Sequence, residues 1–271
     1  MTLAQPIVPP TRTDPPVLTM RGMGKSFGAV QALAEVDLDI FAREVVAIVG
    51  DNGAGKSTLV KILAGVHPAD RGTMEFEGRR VTVSSPTDSR DLGIATVFQD
   101  LALCDNLDVV SNLFLGREIG TLALNEIEME KRSWTLLRQL SAKIPSVRIA
   151  VASLSGGQRQ TVAIARSLLG DPKVVILDEP TAALGVAQTA EVLNLIERLR
   201  ERGLGVVLIS HNMADVMAVA DRVVVLRLGR NNGEFPIGQV TQEDIVAAIT
   251  GATDNVVTRR ASGTRGHEDG S

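Results

Sequence analysis

Short runs of continuously apolar residues, rich in Val and Ile, recur along the chain. Such runs are typical of strands covered on both faces, as in a parallel sheet. The predicted strands span residues 44–50, 94–99, 173–180, 205–211 and 222–229. Segments with apolar positions at helical spacing alternate with them, and the predicted helices span 56–64, 157–169, 187–202 and 213–219. This alternation predicts an α/β fold with a mainly parallel sheet.

Two regions interrupt the alternation of strands and helices. Residues 71–83, RGTMEFEGRRVTV, alternate between apolar and polar positions around a Glu-Gly turn. Together with residues 18–41, they predict a flanking antiparallel β-subdomain. Residues 105–150 carry only helical or loop-like patterns. We therefore expect a helical insert between two strands of the core.

The patterns also give expected boundaries for the folded part of the chain. We expect a single domain over residues 17–251, with a helical subdomain at about 100–170. The proline-rich residues 1–16 predict a disordered leader without the basic start and apolar core of a signal peptide. The polar residues 252–271 predict a disordered tail, because they contain too little apolar surface to fold.

Composition narrows the function classes. The 271 residues carry a net charge of −4, with a pI of about 5.5, which disfavours a nucleic-acid binder that relies on a basic surface. The apolar runs are far shorter than the roughly 18 residues that a membrane-spanning helix needs. Cys104 is the single cysteine, so it cannot form an internal disulfide, and we assign it no role.

A phosphate-binding pattern follows the first predicted core strand. In VVAIVGDNGAGKSTLVKILAG, Gly50 is followed after four residues by Gly55, Lys56 and Ser57, which is the spacing of a P-loop. A loop of this kind points its backbone N–H groups and the start of a helix at phosphates. Lys56 would reach the β- and γ-phosphates, and Ser57 would bind Mg²⁺.

Polar side chains stand at the ends of three other predicted strands, where open parallel sheets bind their ligands. Asp178 and Glu179 follow KVVIL; Asp178 suits a Mg²⁺ ligand and Glu179 a base that activates water. Gln99 and His211 end two further strands. Each of these two, taken singly, is more often a loop residue or a helix cap, but together they favour one shared site. Phe27 suits an aromatic platform for a base or, equally, a core position.

A second glycine-rich motif precedes another predicted helix. Ser155, Gly156, Gly157 and Gln158, in the run SLSGGQRQ, offer a hydroxyl and free backbone N–H groups to an anion. A capped surface helix without a ligand is the weaker alternative, since the motif lies shortly before VVILDEP. The chain thus carries two phosphate-type sites roughly a hundred residues apart.

These motifs, in their order and spacing, resemble those of the ABC-type ATPases. The chain is similar to that family at its A-loop, Walker A, Q-loop, signature, Walker B and switch histidine. The resemblance implies a P-loop NTPase core with a flanking antiparallel β-subdomain and a helical signature subdomain, and ATP and Mg²⁺ as cofactors. It also implies that the signature of one subunit closes over ATP on the P-loop of another, so that the two anion sites of one chain serve different ATP molecules.

The resemblance assigns roles residue by residue. It implies catalysis by Glu179, His211 and Gln99, and metal binding by Ser57, Gln99 and Asp178. The nucleotide-binding residues that it implies are Phe27, Gly50, Asp51, Asn52, Gly53, Ala54, Gly55, Lys56, Ser57, Thr58, Ser155, Gly156, Gly157 and Gln158. One position departs from the family pattern: Gly185 stands after EPTAAL, where the family usually has an aspartate that helps to couple the two sites.

The run SPTDSRDLGIATVFQDLALCDNLDVVSNLFLGRE looks like the ATPases of ribose-, xylose- and fructose-type monosaccharide importers. That resemblance implies a homodimer at the cytoplasmic face of the cell membrane. It would bind separate transmembrane permease subunits through Gln99 and residues 100–118, act indirectly with an extracellular or periplasmic sugar-binding protein, and bind no nucleic acid. The alternatives are an importer for another solute and a non-transport regulator that acts through ATP-dependent dimerisation.

Overall fold

The computed structural model describes residues 14–120 and 123–252. Nearly all of the predicted leader and tail therefore lies outside the described residues. None of the helices in the described part of the chain is long and apolar enough to span a bilayer. The described strands form two sheets, one of four strands and one of six.

The six-stranded sheet forms the centre of the fold. Its order is β10-β9-β3-β8-β7-β6, and all neighbours are parallel except the antiparallel pair β10 and β9. Its strands span Glu44–Val49 (β3), Ile94–Val97 (β6), Val174–Asp178 (β7), Gly205–Ile209 (β8), Arg222–Arg227 (β9) and Arg230–Pro236 (β10). The five apolar runs are thus confirmed as strands of a mainly parallel sheet.

The continuous apolar character of these strands has a direct structural cause. In β3, Val45, Ala47 and Val49 belong to one buried cluster, which the helices α3 to α6 also line. Val46 and Ile48 belong to a second cluster, which the antiparallel sheet and α1 line. Because successive side chains point to opposite faces, a strand covered on both sides needs apolar residues at every position.

The second sheet is antiparallel, as the alternating patterns predicted. Its order is β2-β1-β4-β5, and β1 and β2 form a hairpin that closes at Phe27 and Val30. Its strands span Leu18–Phe27 (β1), Val30–Ile40 (β2), Arg71–Phe76 (β4) and Arg79–Val81 (β5). This sheet places Phe27 at the end of β1, next to the turn that joins β1 to β2.

Helices connect and cover the central sheet. They span Lys56–Leu63 (α1), Pro86–Asp91 (α2), Val109–Phe114 (α3), Glu126–Gln139 (α4), Gly156–Leu168 (α5), Val186–Glu201 (α6), Met213–Val219 (α7) and Gln242–Thr250 (α8). The four predicted helices are confirmed as α1, α5, α6 and α7. The patterns gave no prediction for α2, α8 and β10, because these segments contain short or polar runs.

The predicted helical insert is present between β6 and α5. It contains α3 and α4, which pack against α5 and the central core. Trp134 lies partly buried on α4, and the Arg138 guanidinium stands 5.9 Å from the centre of its ring. The insert thus belongs to the same hydrophobic core as the sheet and carries the second glycine motif at its end.

Candidate functional site

The loop between β3 and α1 has the conformation that its glycines permit. Gly50, Gly53 and Gly55 all have positive φ angles, of 155°, 80° and 105°. A Cβ at Gly50 would overlap the Leu226 carbonyl oxygen, and one at Gly55 would lie 2.6 Å from Leu33 Cδ2. Glycine is therefore required at both positions by conformation and by close approach of the neighbouring backbone.

Lys56 lies over this loop. Its ammonium donates hydrogen bonds to the carbonyl oxygens of Gly50 and Asp51, at 2.7 and 3.1 Å. No side chain caps the start of α1 at Gly55, so the first amides of the helix keep their donors available. The loop therefore presents a cation and several N–H groups close together, which is the arrangement that binds phosphates.

Two acidic residues leave the neighbouring strand β7 at the same edge of the sheet. Asp178 ends β7, and Glu179 follows with a left-handed φ of 51°. The Glu179 amide donates to the Ile209 carbonyl at the end of β8, at 2.9 Å. Glu179 Oε2 lies 2.8 Å from His211 Nδ1, while the imidazole remains largely exposed. The structure thus brings Glu179 and His211 together.

The electrostatics connect Asp178 with the phosphate loop. Burial raises the pKa of the Asp178 carboxyl, and the Glu179 carboxylate raises it further. The positive charges of Lys56 and Lys61 act in the opposite direction on the same pKa. A half-buried carboxyl next to a second carboxylate gains from an additional cation, because the cation favours the charged form.

Gln99 lies at this edge of the sheet but makes no described contact with the other site residues. It is exposed and stands two residues past β6, whose Val97 pairs with Leu177 of β7. Among the residues that the structure describes, no hydrogen bond joins Gln99 to Ser57 or Asp178. Beside it lies a cavity of about 440 Å³, whose lining includes Phe98, Asp100, Leu115, Arg117 and Arg166.

Phe27 is partly exposed at the end of β1, with 43% of its surface accessible. The His67 ring, which follows α1, meets it edge to face with centroids 5.2 Å apart. Lys25 Nζ lies 5.5 Å from the centre of the Phe27 ring. The sequence reasoning missed both neighbours: His67 stands in the polar run HPAD after α1, and Lys25 shares a strand with Phe27.

The second glycine motif begins α5. Ser155 is its N-cap: Ser155 Oγ accepts from the Gln158 amide, and Gln158 Oε1 accepts from the Ser155 amide. A Cβ at Gly156 would lie 2.8 Å from Leu184 Cδ2, and one at Gly157 would lie 3.1 Å from Gln188 Cβ. The two glycines therefore also let α5 approach the start of α6, a packing role that the sequence reasoning missed.

The two phosphate-type motifs have no described contact within one chain. In the described part of the chain, no hydrogen bond or ion pair joins residues 155–158 to the loop at 50–57. The Ser155 and Gln158 side chains each accept a hydrogen bond from the other residue's backbone amide, and Gln158 Nε2 also donates to the Lys143 carbonyl at 2.8 Å. Lys56, Asp178, Glu179 and His211 thus form one group, joined by their charges and by the contact between Glu179 and His211. Neither kind of link joins this group to residues 155–158 in the described part of the chain.

Comparison with known proteins gives one family. A family model described as ABC transporter matches residues 33–182. The xylose/arabinose import ATP-binding protein of Sulfolobus acidocaldarius is 48% identical over 79% of this chain and 86% of its own length. The fructose import ATP-binding protein of Rhizobium meliloti is 45% identical over 88% of this chain and 95% of its own length.

Longer relatives and solved structures agree with this result. The ribose import ATP-binding protein of Caldanaerobacter subterraneus is 39% identical over 87% of this chain, which matches only 48% of the relative's length. An ATP-binding cassette of an ABC transporter in its ADP conformation superimposes with a TM-score of 0.75 at 25% identity, over 92% of this chain and 99% of the other. A dimeric ATP-binding cassette bound to ADP and phosphate superimposes with a TM-score of 0.68 at 26% identity, over 81% of this chain and 98% of the other.

Proposed function

Because the chain belongs to the ABC transporter family, we propose that it hydrolyses ATP to drive import of a monosaccharide through separate membrane permease subunits. The observation that carries the proposal is the pairing of Glu179 with His211 at the sheet edge that also holds the P-loop lysine. This places a proton acceptor beside a phosphate-binding loop. Hydrolysis needs that combination, whereas nucleotide binding alone does not.

The proposed binding site uses backbone and side chains in different ways. The amides of residues 50–58 and the Lys56 ammonium would bind the phosphates, and the exposed Phe27 ring would stack on the adenine. Lys56 donates to two carbonyl oxygens of its own loop. Those bonds hold the ammonium at the loop, so the cation is already close to where phosphate oxygens would bind.

In the proposed reaction, a water molecule attacks the γ-phosphorus and ADP leaves. Glu179 accepts the proton from this water, and His211 contacts the γ-phosphate. The 2.8 Å separation between Glu179 and His211 supports this division, because one group orients the other. Glu179 is also largely shielded from solvent, with 16% of its side chain exposed, which strengthens its interactions with charge nearby.

The same residues fit Mg²⁺. Ser57 and Asp178 offer hard oxygen ligands beside the phosphate loop. Burial and the neighbouring Glu179 raise the pKa of the Asp178 carboxyl, so a bound cation would favour its charged form. We propose Ser57, Asp178 and Gln99 as the residues that would hold the ion. Among the described residues, no cluster of three His, Cys, Asp or Glu side chains forms a preformed metal site. Bound Mg²⁺ would neutralise charge on the phosphates.

We propose a homodimer in which each ATP lies between two chains. The separation of residues 155–158 from the P-loop within one chain supports this arrangement, since Ser155, Gly156, Gly157 and Gln158 are then free to face a second subunit. A dimeric cassette that carries ADP and phosphate is among the similar solved structures. Two chains arranged head to tail would form two equivalent sites.

The proposed partners follow from the names of the relatives. Relatives named for import of xylose/arabinose, fructose and ribose support a monosaccharide as the solute. The cavity beside Gln99 and the exposed Leu115 support residues 100–118 as the permease contact, at the cytoplasmic face of the membrane. A sugar-binding protein outside that membrane would deliver the solute. The net charge of −4 argues against nucleic acid as a partner.

The test uses the chain reconstituted in liposomes with the permease subunits and sugar-binding protein encoded beside it. We expect ATP hydrolysis that at least one loaded monosaccharide stimulates, and uptake of that sugar. Glu179→Gln should abolish hydrolysis and trap an ATP-dependent dimer on gel filtration. Stimulation by a solute of another class alone would overturn the monosaccharide assignment. Failure of the wild-type chain to hydrolyse ATP in any assembly would overturn the ATPase proposal.

A further inference from the structure

A side-chain hydrogen bond joins the loop after Glu179 to the helix after His211. Thr181 Oγ1 donates to Asp215 Oδ2 at 2.6 Å. Asp215 lies in the first turn of α7 and is only 5% exposed, and Thr181 is partly buried. A hydrogen bond to a carboxylate is among the stronger hydrogen bonds in proteins, and exclusion of water strengthens it further.

This bond runs beside the contact between Glu179 and His211. Thr181 stands two residues after Glu179, and Asp215 stands four residues after His211, so the two contacts join the same pair of segments. A third link is the hydrogen bond from the Glu179 amide to the Ile209 carbonyl, at 2.9 Å. The loop is thus fixed to the end of β8 and to α7 on both sides of the Glu179 side chain.

The loop needs such support because its backbone is strained. Glu179 and Ala183 both adopt left-handed φ angles, of 51° and 59°, which are unfavourable for residues other than glycine. Conformations of this kind persist where surrounding contacts hold them. Asp215 is not needed to cap α7, because the Asn212 side chain already does so by accepting from the Ala214 amide at 3.0 Å.

We propose that Thr181 and Asp215 are positioning residues for ATP hydrolysis. Their hydrogen bond holds Glu179 in its left-handed conformation and keeps its carboxylate within reach of His211. The inference rests on the proposed ATPase activity. It predicts an effect on the chemical step, because neither residue belongs to the loop that binds the phosphates.

The experiment compares Thr181→Val, which keeps the side-chain shape, with Thr181→Ser, which keeps the hydroxyl. Thr181→Val should lower kcat by at least about tenfold, since small displacements of a catalytic group have large effects, and should change KM for ATP by less than about twofold. Thr181→Ser should restore most of kcat. Thr135→Val is the matched control, because Thr135 Oγ1 bonds only within its own helix, to the Lys131 carbonyl; its kcat should equal that of the wild type.

Asp215→Asn tests the other end of the bond. It should also lower kcat, and the double variant with Thr181→Val should be no slower than Thr181→Val alone, since both changes remove one interaction. Thermal melting of each variant shows whether the fold is retained. Wild-type kcat in folded Thr181→Val, additive effects in the double variant, or a change confined to KM would overturn the inference. Absence of hydrolysis by the wild-type chain would instead refute the proposed function.

Discussion

At the scale of single residues, glycine meets two different needs in this molecule. At Gly50 and Gly55, positive φ angles combine with close backbone neighbours, so no other residue fits. Gly185 is different: its φ is −74°, its ψ is 162°, and a Cβ there would meet nothing within 4 Å. It occupies the N-cap of α6 without any side-chain cap. The fold therefore does not require glycine at this position, and the change from the family's aspartate is open to direct test.

We expect Gly185→Asp to keep the fold and to stabilise it by a few tenths of a kcal/mol, about 0.3, because aspartate is a better N-cap than glycine. If this carboxylate couples the two sites, the variant should also hydrolyse ATP with higher cooperativity. Urea denaturation and the ATP dependence of the rate measure the two effects. Gly185→Ala is the control, since it adds a Cβ without a cap. A loss of stability in the aspartate variant would contradict the open environment seen here.

Sequence reasoning proposed candidate site residues because strand ends of a parallel sheet meet at one edge. It brought together Asp178, Glu179 and His211 as candidates without knowledge of any distance. It did not find the hydrogen bond between Thr181 and Asp215 beside those candidates, or His67 as the neighbour of Phe27. Their contacts depend on how α7 and the loop after α1 pack against the sheet. The hydrophobic periodicity of a single segment does not predict that packing.

At the scale of elements, the end of α1 is packed closely against the start of α2. Gly65 follows α1 with a φ of 71°, and a Cβ there would overlap the Ser85 carbonyl group. Ser89 of α2 donates its hydroxyl to the Leu63 carbonyl at 2.7 Å, from a buried position. This contact fixes the P-loop helix against the rest of the core.

Gly65→Ala should therefore destabilise the protein by about 3 kcal/mol or more, since it combines backbone strain with overlap. The matched variant is Gly78→Ala, in the turn between β4 and β5. Gly78 has nearly the same φ, 72°, but open space around a Cβ. Gly78→Ala should therefore lower the free energy of unfolding by only about 1–2 kcal/mol. Urea denaturation gives both values. Equal losses for the two variants would show that the packing of α1 on α2 contributes nothing.

The cap of α2 should make stability depend on pH in acid. The amides of Ser84 and Ser85 both donate to Asp88 Oδ2, at 2.9 Å, and these hydrogen bonds hold the pKa of the Asp88 carboxyl below its usual value. A lowered folded-state pKa stabilises the protein above the unfolded pKa, and this stability is lost as pH falls through the folded value. Wild type should exceed Asp88→Asn in stability at pH 7, and the difference should vanish in strong acid. Urea titrations would contradict this role of Asp88 if the stability difference between wild type and Asp88→Asn stayed the same from pH 7 to strong acid.

The elements that the sequence predicted share a physical property. Strands such as β3 and β8 are buried on both faces, so their apolar runs are unmistakable. Strand β10, RNNGEFP, is an edge strand with mostly polar residues and a register shift between Asn231 and Gly233. Helix α2 has a Ser85 capping box but only one buried residue, Ser89. Edge and surface elements leave weak hydrophobic patterns, so periodicity did not predict them.

At the scale of the whole molecule, no hydrogen bond or ion pair among the described residues joins the two phosphate-type motifs, which supports the proposed second chain. The P-loop group contains Lys56, Asp178, Glu179 and His211, whereas Ser155 begins α5 beside the start of α6. An arrangement in which each chain completes the other's site makes a specific prediction about mixtures of inactive variants.

Lys56→Ala should disable the P-loop, and Ser155→Arg should disable the second motif, so each homodimer should be inactive. In a mixed dimer, both defects fall in one site and the other site is intact. An equimolar mixture should therefore recover about a quarter of the wild-type ATPase rate, because half of the dimers are mixed and each has one working site. Lys56→Ala mixed with Glu179→Gln is the control and should stay inactive, since both changes lie in the P-loop group. No recovery in the first mixture would contradict the shared site.

The helical insert holds the chain's single tryptophan, which makes it the source of the tryptophan fluorescence. The chain contains one tryptophan and no tyrosine, and the tryptophan is Trp134 on α4, beneath the Arg138 guanidinium. Intrinsic fluorescence therefore comes from the insert alone, without a contribution from the sheets that hold the P-loop. A change in emission when ATP is added would report a rearrangement of the insert against the core. The protein can thus be followed through its nucleotide cycle without an attached dye.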